Sequence, residues 1–262
     1  MTILDIQKKK ADGSRISVVT CYDHAFARLI SRTDIDMVLV GDSVAMVMYG
    51  HPSTLHATTE MMVQHTAAVS RGVPDKFLVV DVPFPKHRQG IPEAMACIDA
   101  LMKAGANAVK IEGIEGHSDT IRHIVGSGVP VMGHLGLLPQ SIHRMGGYKV
   151  QGRDVVSHEL LLKQAQQVEE AGCFAVVLEC VPTAIAKEIT SIVRIPTIGI
   201  GAGPHVDGQV LVLHDLLGLT MDSKPRFVRP FLRGADSVVE ALQTFQREVV
   251  AGSFPSAKES YE

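Results

Sequence analysis

Short apolar runs that close on a polar or charged residue recur along the chain, and they limit what it can fold into more than any other feature. MVLVGD (37–42), FLVVD (77–81), AVKIE (108–112) and FAVVLE (174–179) each end in a carboxylate. ISVVTCY (16–22), VPVMGH (129–134), PTIGIG (196–201) and QVLVLHD (209–215) bring the set to eight. Each is too short for a helix, rich in Val and Ile, and bounded by Gly or Pro, so each reads as a strand. Helical patterns at 56–72, 91–105 and 157–172 separate them, with Gly72, Gly105 and Gly172 as stop signals. Such alternation predicts a parallel sheet, and continuous apolar strands predict one covered on both faces. The chain has 262 residues with no composition shift or long linker. That predicts a (β/α)₈ barrel in a single domain over 1–262, in preference to an open doubly wound sheet.

Other features narrow the class. The net charge is -3, and no basic stripe with interleaved aromatics appears, which argues against a nucleic-acid partner. KKK at 8–10 reads as a solvated helix face. Cys21, Cys97, Cys173 and Cys180 show neither CxxC pairing nor zinc-ligand spacing, so free buried thiols are expected. The first residues lack a secretory apolar core, and no apolar run approaches the roughly 20 residues that span a bilayer. The expectation is a cytoplasmic protein with no membrane contact. The stretch 135–156 is too polar and Gly-rich for core and reads as a long functional loop. IGIGAG (198–203) has the wrong spacing for a dinucleotide fingerprint and predicts tight strand packing or close approach to a ligand.

Alternation within the strands places the polar ends. Residues i, i+2 and i+4 share a face. Val38, Val40 and Asp42 form one such set; Phe77, Val79 and Asp81 another; Ala108, Lys110 and Glu112 a third. Pro130, Met132 and His134, and Ala175, Val177 and Glu179, follow the same rule. In a barrel the apolar members fill inner layers and the polar ends converge at the C-terminal mouth, where such barrels keep their active sites. Three converging acids, Asp42, Asp81 and Glu112, cannot all ionise without cations. An oxygen-only donor set favours Mg²⁺ or Mn²⁺. Lys110, one layer deeper, brings the formal charge with a divalent ion near zero. Glu179, beside Cys180 and Val181, has the apolar setting that suits a general base, and His134 can hydrogen-bond an anionic oxygen. Together these suit metal-assisted enolate formation from a 2-keto acid, followed by aldol-type addition.

Longer motifs then carry a resemblance. VGDS (40–43), GHPSTL (50–55), AVKIEG (108–113), GHLGLLPQS (133–141), GGYKVQGR (146–153), LECVP (178–182) and IGIGAGPHVDGQVLVLHDLLG (198–218) resemble the ketopantoate hydroxymethyltransferase family, over about 15–255. The resemblance implies a (β/α)₈ barrel that moves a hydroxymethyl group from 5,10-methylenetetrahydrofolate to 3-methyl-2-oxobutanoate, giving 2-dehydropantoate for pantothenate synthesis. It implies one Mg²⁺ per subunit on Asp42, Asp81 and Glu112. It matches the keto-acid contacts to Asp42, Ser43, Asp81, Lys110 and His134, and the proton acceptor to Glu179. It also implies a homo-oligomer, a decamer, with the amphipathic helix at 235–252 in subunit contacts. HRMGGYKVQGR (143–153) is either a solvated loop or a folate-facing lid.

The chain departs from the family pattern at three places. PFPKHRQGIP follows the Asp81 strand where a small–aromatic stretch is usual, Leu138 replaces a Thr, and Cys21 replaces an Ala. None removes an implied ligand, though the first alters the loop over the mouth. Two rival readings remain at this level: another Mg²⁺-dependent enzyme of 2-keto acids, of the phosphoenolpyruvate/isocitrate-lyase type, and a barrel that binds without catalysis.

Overall fold

The computed structural model describes residues 1–220 and 224–262. Eight parallel strands close into a barrel in sequence order: β1 (Ile16–Thr20), β2 (Met37–Val40), β3 (Phe77–Asp81), β4 (Ala108–Glu112), β5 (Val131–Gly136), β6 (Ala175–Glu179), β7 (Thr197–Ile200) and β8 (Gly208–Leu211). Nearly every strand residue is buried, because the barrel interior covers one face and the helices the other.

The interior is filled by Val18, Met37, Leu39, Phe77, Val79, Ala108, Met132, Val177, Ile198 and Val210. Its N-terminal end is plugged by helix Ile3–Ala11, whose Ile6 is fully buried in the same cluster. Here the reading of KKK as a solvated face needs correction. Lys8 is exposed, but Lys9 pairs with Asp36 at 2.5 Å and Lys10 with Asp207 at 2.9 Å. Asp36 also accepts from Ser17 and Asp207 from Thr197, so two of the lysines clasp the plug to strand starts.

The helices follow the sequence pattern with small boundary shifts. Thr58 caps helix Thr59–Ser70, and Asp154 caps helix Val155–Glu170. Helix Val238–Ala251 ends on left-handed Gly252 and buries Ala241, Leu242, Phe245 and Val249, so its apolar face is used within its own chain. All four cysteines are free and buried. Two segments differ from expectation. QVLVLHD is strand only to Leu211; Leu213–Leu217 turns helical, because β8 runs beside β1 only to the Val19–Leu211 pair and β1 itself ends at Thr20. The 135–156 stretch is not all surface: Leu135, Leu137, Gln140 and Ile142 are buried, the last two within the short helices Pro139–Ser141 and Ile142–Met145.

The glycines of IGIGAG serve packing. A Cβ on Gly199 would lie 2.9 Å from Val206, and one on Gly203 would lie 2.4 Å from Thr183. Gly136, with φ of +90°, is tighter still, since a Cβ there would lie 2.2 Å from the carbonyl oxygen of Glu179. Gly136→Ala is therefore expected to destabilise the fold by about 3–5 kcal/mol, through backbone clash and left-handed strain together. A denaturant midpoint close to that of the wild type would refute this.

Candidate active site

The register of the sheet brings the polar strand ends together. Asp81 lies beside Lys110 across β3–β4, Glu112 beside His134 across β4–β5, and Glu179 beside Gly136 across β5–β6. Phe77, Val79 and Ala108 line the interior below them, as alternation requires. Asp81, Glu112, Lys110 and His134 are all buried.

Asp42 arrives by a different route from the one its parity suggests. In β2 the inward residues are Met37 and Leu39, while Val38 and Val40 pack outward against the helices. The inward position after Leu39 belongs to Gly41. A Cβ there would stand 2.8 Å from Ser43 Oγ and 3.5 Å from Asp81 Oδ2. The absent side chain lets the backbone turn across the mouth, and the Asp42 N–H donates to Asp81 Oδ2 at 3.0 Å. Asp42 thus joins the cluster through a turn. Ser43 follows at the N-cap position of helix Val44–Val47 without a capping bond; its Oγ bonds to the Tyr22 hydroxyl at 2.8 Å.

A continuous set of contacts links these groups. Lys110 Nζ lies 2.8 Å from Asp81 Oδ1 and 3.3 Å from His134 Nδ1. His134 Nε2 lies 3.1 Å from Glu179 Oε2, close in distance but without an aligned hydrogen bond. An ammonium has no acceptor, so Nδ1 accepts from Lys110 and the ring proton sits on Nε2, facing Glu179. Burial, then the charge of Lys110, hold the His134 pKa well below its usual value, which keeps the ring neutral.

Four carboxylates face one ammonium. Burial raises the Asp42 pKa to about 7, with the Asp81 charge adding to it. Burial, then Asp42, push Glu112 well above the usual carboxylate range. Burial alone would lower Lys110, but Asp81, Glu112 and Asp42 outweigh it and hold the ammonium form. Burial raises Glu179 to about 7. Its side chain nevertheless keeps 17% exposure, against 4% for Asp81 and Glu112, so it is more open to an incoming molecule than those two acids.

Sequence reasoning missed Gln140. Its backbone N–H donates to Glu112 Oε2 at 3.0 Å, and its side-chain amide to Asp42 Oδ2 at 2.8 Å and Val82 O at 3.0 Å. Its place in the loop after a mouth strand was the available signal. Tyr22 was missed too, although it shares parity with inward Ile16 and Val18.

Among the described residues, no group of three or more His, Cys, Asp and Glu side chains forms a ready metal cage. Gln140 accounts for part of this, because its two N–H donors take one oxygen each of Asp42 and Glu112. The donor chemistry still fits a hard divalent cation. The acids offer only oxygen, their charge exceeds that of Lys110, and Gln140 Oε1 is buried without a hydrogen-bond partner.

Comparison with known proteins places this geometry in a family. The family model described as ketopantoate hydroxymethyltransferase matches residues 1–257. The chain belongs to the ketopantoate hydroxymethyltransferase family. Two curated relatives, each named 3-methyl-2-oxobutanoate hydroxymethyltransferase, extend the match over essentially the whole chain. The one from Bdellovibrio bacteriovorus is 53% identical, covering 99% of both chains. The one from Legionella pneumophila (strain Paris) is 50% identical, covering 100% of both. Solved structures show the ketopantoate hydroxymethyltransferase barrel to be shared more widely. Phosphonopyruvate hydrolase, in complex with oxalate and Mg²⁺, superposes with a TM-score of 0.63 at 14% identity, covering 99% of this chain and 93% of that one. A 2,3-dimethylmalate lyase of the PEP mutase/isocitrate lyase superfamily gives 0.61 at 15%, covering 83% and 82%. At such identities the likeness is one of fold.

Proposed function

We propose that the chain, as one catalytic domain, transfers a hydroxymethyl group from 5,10-methylenetetrahydrofolate to 3-methyl-2-oxobutanoate and so makes 2-dehydropantoate. The observation that carries this reading is Glu179, a partly open carboxylate with a pKa raised to about 7, beside the Asp42–Asp81–Glu112 cluster. Relatives that share half of its residues over their full length bear the name of that reaction.

Asp42, Asp81 and Glu112 would hold Mg²⁺, which when bound supplies a Lewis acid for the carboxylate and keto oxygens of the substrate. Ser43, held by Tyr22, offers its hydroxyl and backbone N–H to the substrate carboxylate. Glu179 takes the C3 proton, and a base with a pKa near neutrality is well matched to that step. His134 faces Glu179 from one side with Nε2–H at 3.1 Å, while Lys110 holds His134 and supplies positive charge near the developing oxyanion. The new bond joins C3 to the methylene carbon of the folate, both of whose bonds to nitrogen break, and the two nitrogens take up the proton lost from C3 and one proton from water. One water supplies the hydroxyl oxygen and tetrahydrofolate leaves. The same reading includes a cytoplasmic homo-oligomer, a decamer by family resemblance; among the described residues no helix is long and apolar enough to cross a membrane.

The test is an NMR time course in D₂O with protein, Mg²⁺, keto acid and methylenetetrahydrofolate, beside a chelated control. The expected result is a hydroxymethyl signal of 2-dehydropantoate that chelation abolishes. Deuterium at C3 without product would uphold enolate formation and reject the folate donor. No change in either signal, with folded protein, would reject the transferase reading.

A further inference from the structure

A cavity of about 290 Å³ lies outside the barrel wall, between the ends of β4–β6 and the 138–152 segment. Its volume is at the lower end of those that hold small ligands. Its inner wall includes Gly113, which follows Glu112, and Gly136, the register neighbour of Glu179. Residues next to two site carboxylates therefore border it.

Its lining is two-sided. Leu138, Met145, Leu160 and Leu161 make an apolar wall, and Leu160 is 40% exposed. Arg88 and Arg144 bring two guanidiniums to the same cavity. Arg88 donates to the backbone carbonyl of Glu115 at 3.2 Å, and Arg144 reaches the Glu115 carboxylate only at 3.8 Å. One partly exposed carboxylate thus faces two cations. Arg88 comes from PFPKHRQG, the segment that departs from the family pattern, and Arg144 from the loop read as either solvated or folate-facing.

We propose that this cavity binds the tail of the one-carbon donor, an aromatic amide carrying glutamyl carboxylates, with the ring on the apolar wall and the carboxylates on Arg88 and Arg144. The proposal rests on the function proposed above. A planar guanidinium pair matches carboxylates in fork geometry, and an apolar wall matches the aromatic ring. Glu112 and Glu179 sit one residue and one strand away from its wall. The 139–151 loop connects the two regions, since Gln140 holds Asp42 and Glu112 while Gln151 N–H donates to the Cys180 carbonyl at 2.8 Å.

The probe is p-aminobenzoyl-glutamate, titrated calorimetrically into the intact protein. Saturable binding to the wild type that weakens about 10-fold in Arg144→Gln, and further in the Arg88→Gln/Arg144→Gln double variant, is the expected result. The KM for methylenetetrahydrofolate is expected to rise by a similar factor, with C3 deuterium exchange of the keto acid alone unchanged. Absence of binding to the wild type, or equal binding by the double variant, overturns the proposal. Equal binding of p-aminobenzamide, which lacks the carboxylates, overturns it as well. If the wild type catalyses no C3 exchange, the keto-acid reading fails, while calorimetry still judges the cavity.

Discussion

Glu179→Gln is expected to lower kcat by between about 100-fold and 10,000-fold, the range associated with loss of a positioned general base. The substitution keeps size and one acceptor oxygen, and replaces the basic carboxylate with a neutral amide that takes no proton. Mg²⁺ affinity and keto-acid affinity are expected to stay within about threefold, because the implied metal acids are Asp42, Asp81 and Glu112. C3 deuterium exchange is expected to fall with kcat. In the wild type, exchange is expected to rise with pH as Glu179 loses its proton near about 7 and to flatten above that, since only the ionised form accepts. Exchange in the Gln variant at the wild-type rate would remove Glu179 from the mechanism.

Lys110→Met is expected to lower stability in a strongly pH-dependent way. Its ammonium is buried 2.8 Å from Asp81 and is raised in pKa by three acids, so its loss leaves their charges without a partner. Breaking a buried pair in this way costs about 3–5 kcal/mol. The sign with pH follows from linkage. Asp42 and Glu112 already bind protons more tightly when folded than an ordinary carboxylate does, and removing Lys110 strengthens that preference. Groups with raised folded pKa values support the fold below their unfolded values and lose that support as pH rises through the folded ones. The deficit of the variant is therefore expected to be small near pH 5 and largest near pH 8. Millimolar Mg²⁺ is expected to recover part of it at pH 8. Denaturant unfolding at both pH values, with and without Mg²⁺, checks this; an equal deficit throughout would show that Lys110 contributes packing rather than charge.

Four of the five mouth strands were legible down to single residues. Asp81, Lys110, Glu112, His134 and Glu179 each end or nearly end an alternating set, and strand geometry alone puts them above the apolar layers. The eight-fold alternation likewise predicted a parallel sheet covered on both faces, and chain length favoured the barrel over an open sheet, as the closed order of strands bears out. β2 shows why the reasoning stopped there. Every residue of MVLV is buried, so hydrophobicity cannot tell the inward set from the outward one.

What the sequence by itself determined is the list of strands, their parallel order and the acids that end them, since these depend on local periodicity and on chain order. Only the tertiary structure decided which face of β2 turns inward, that Gly41 makes room for Asp42, that Gln140 ties Asp42 to Glu112, and that His134 lies between Lys110 and Glu179. These facts depend on the register between neighbouring strands and on a loop folding back over the mouth, and neither is encoded in the spacing of residues along one strand.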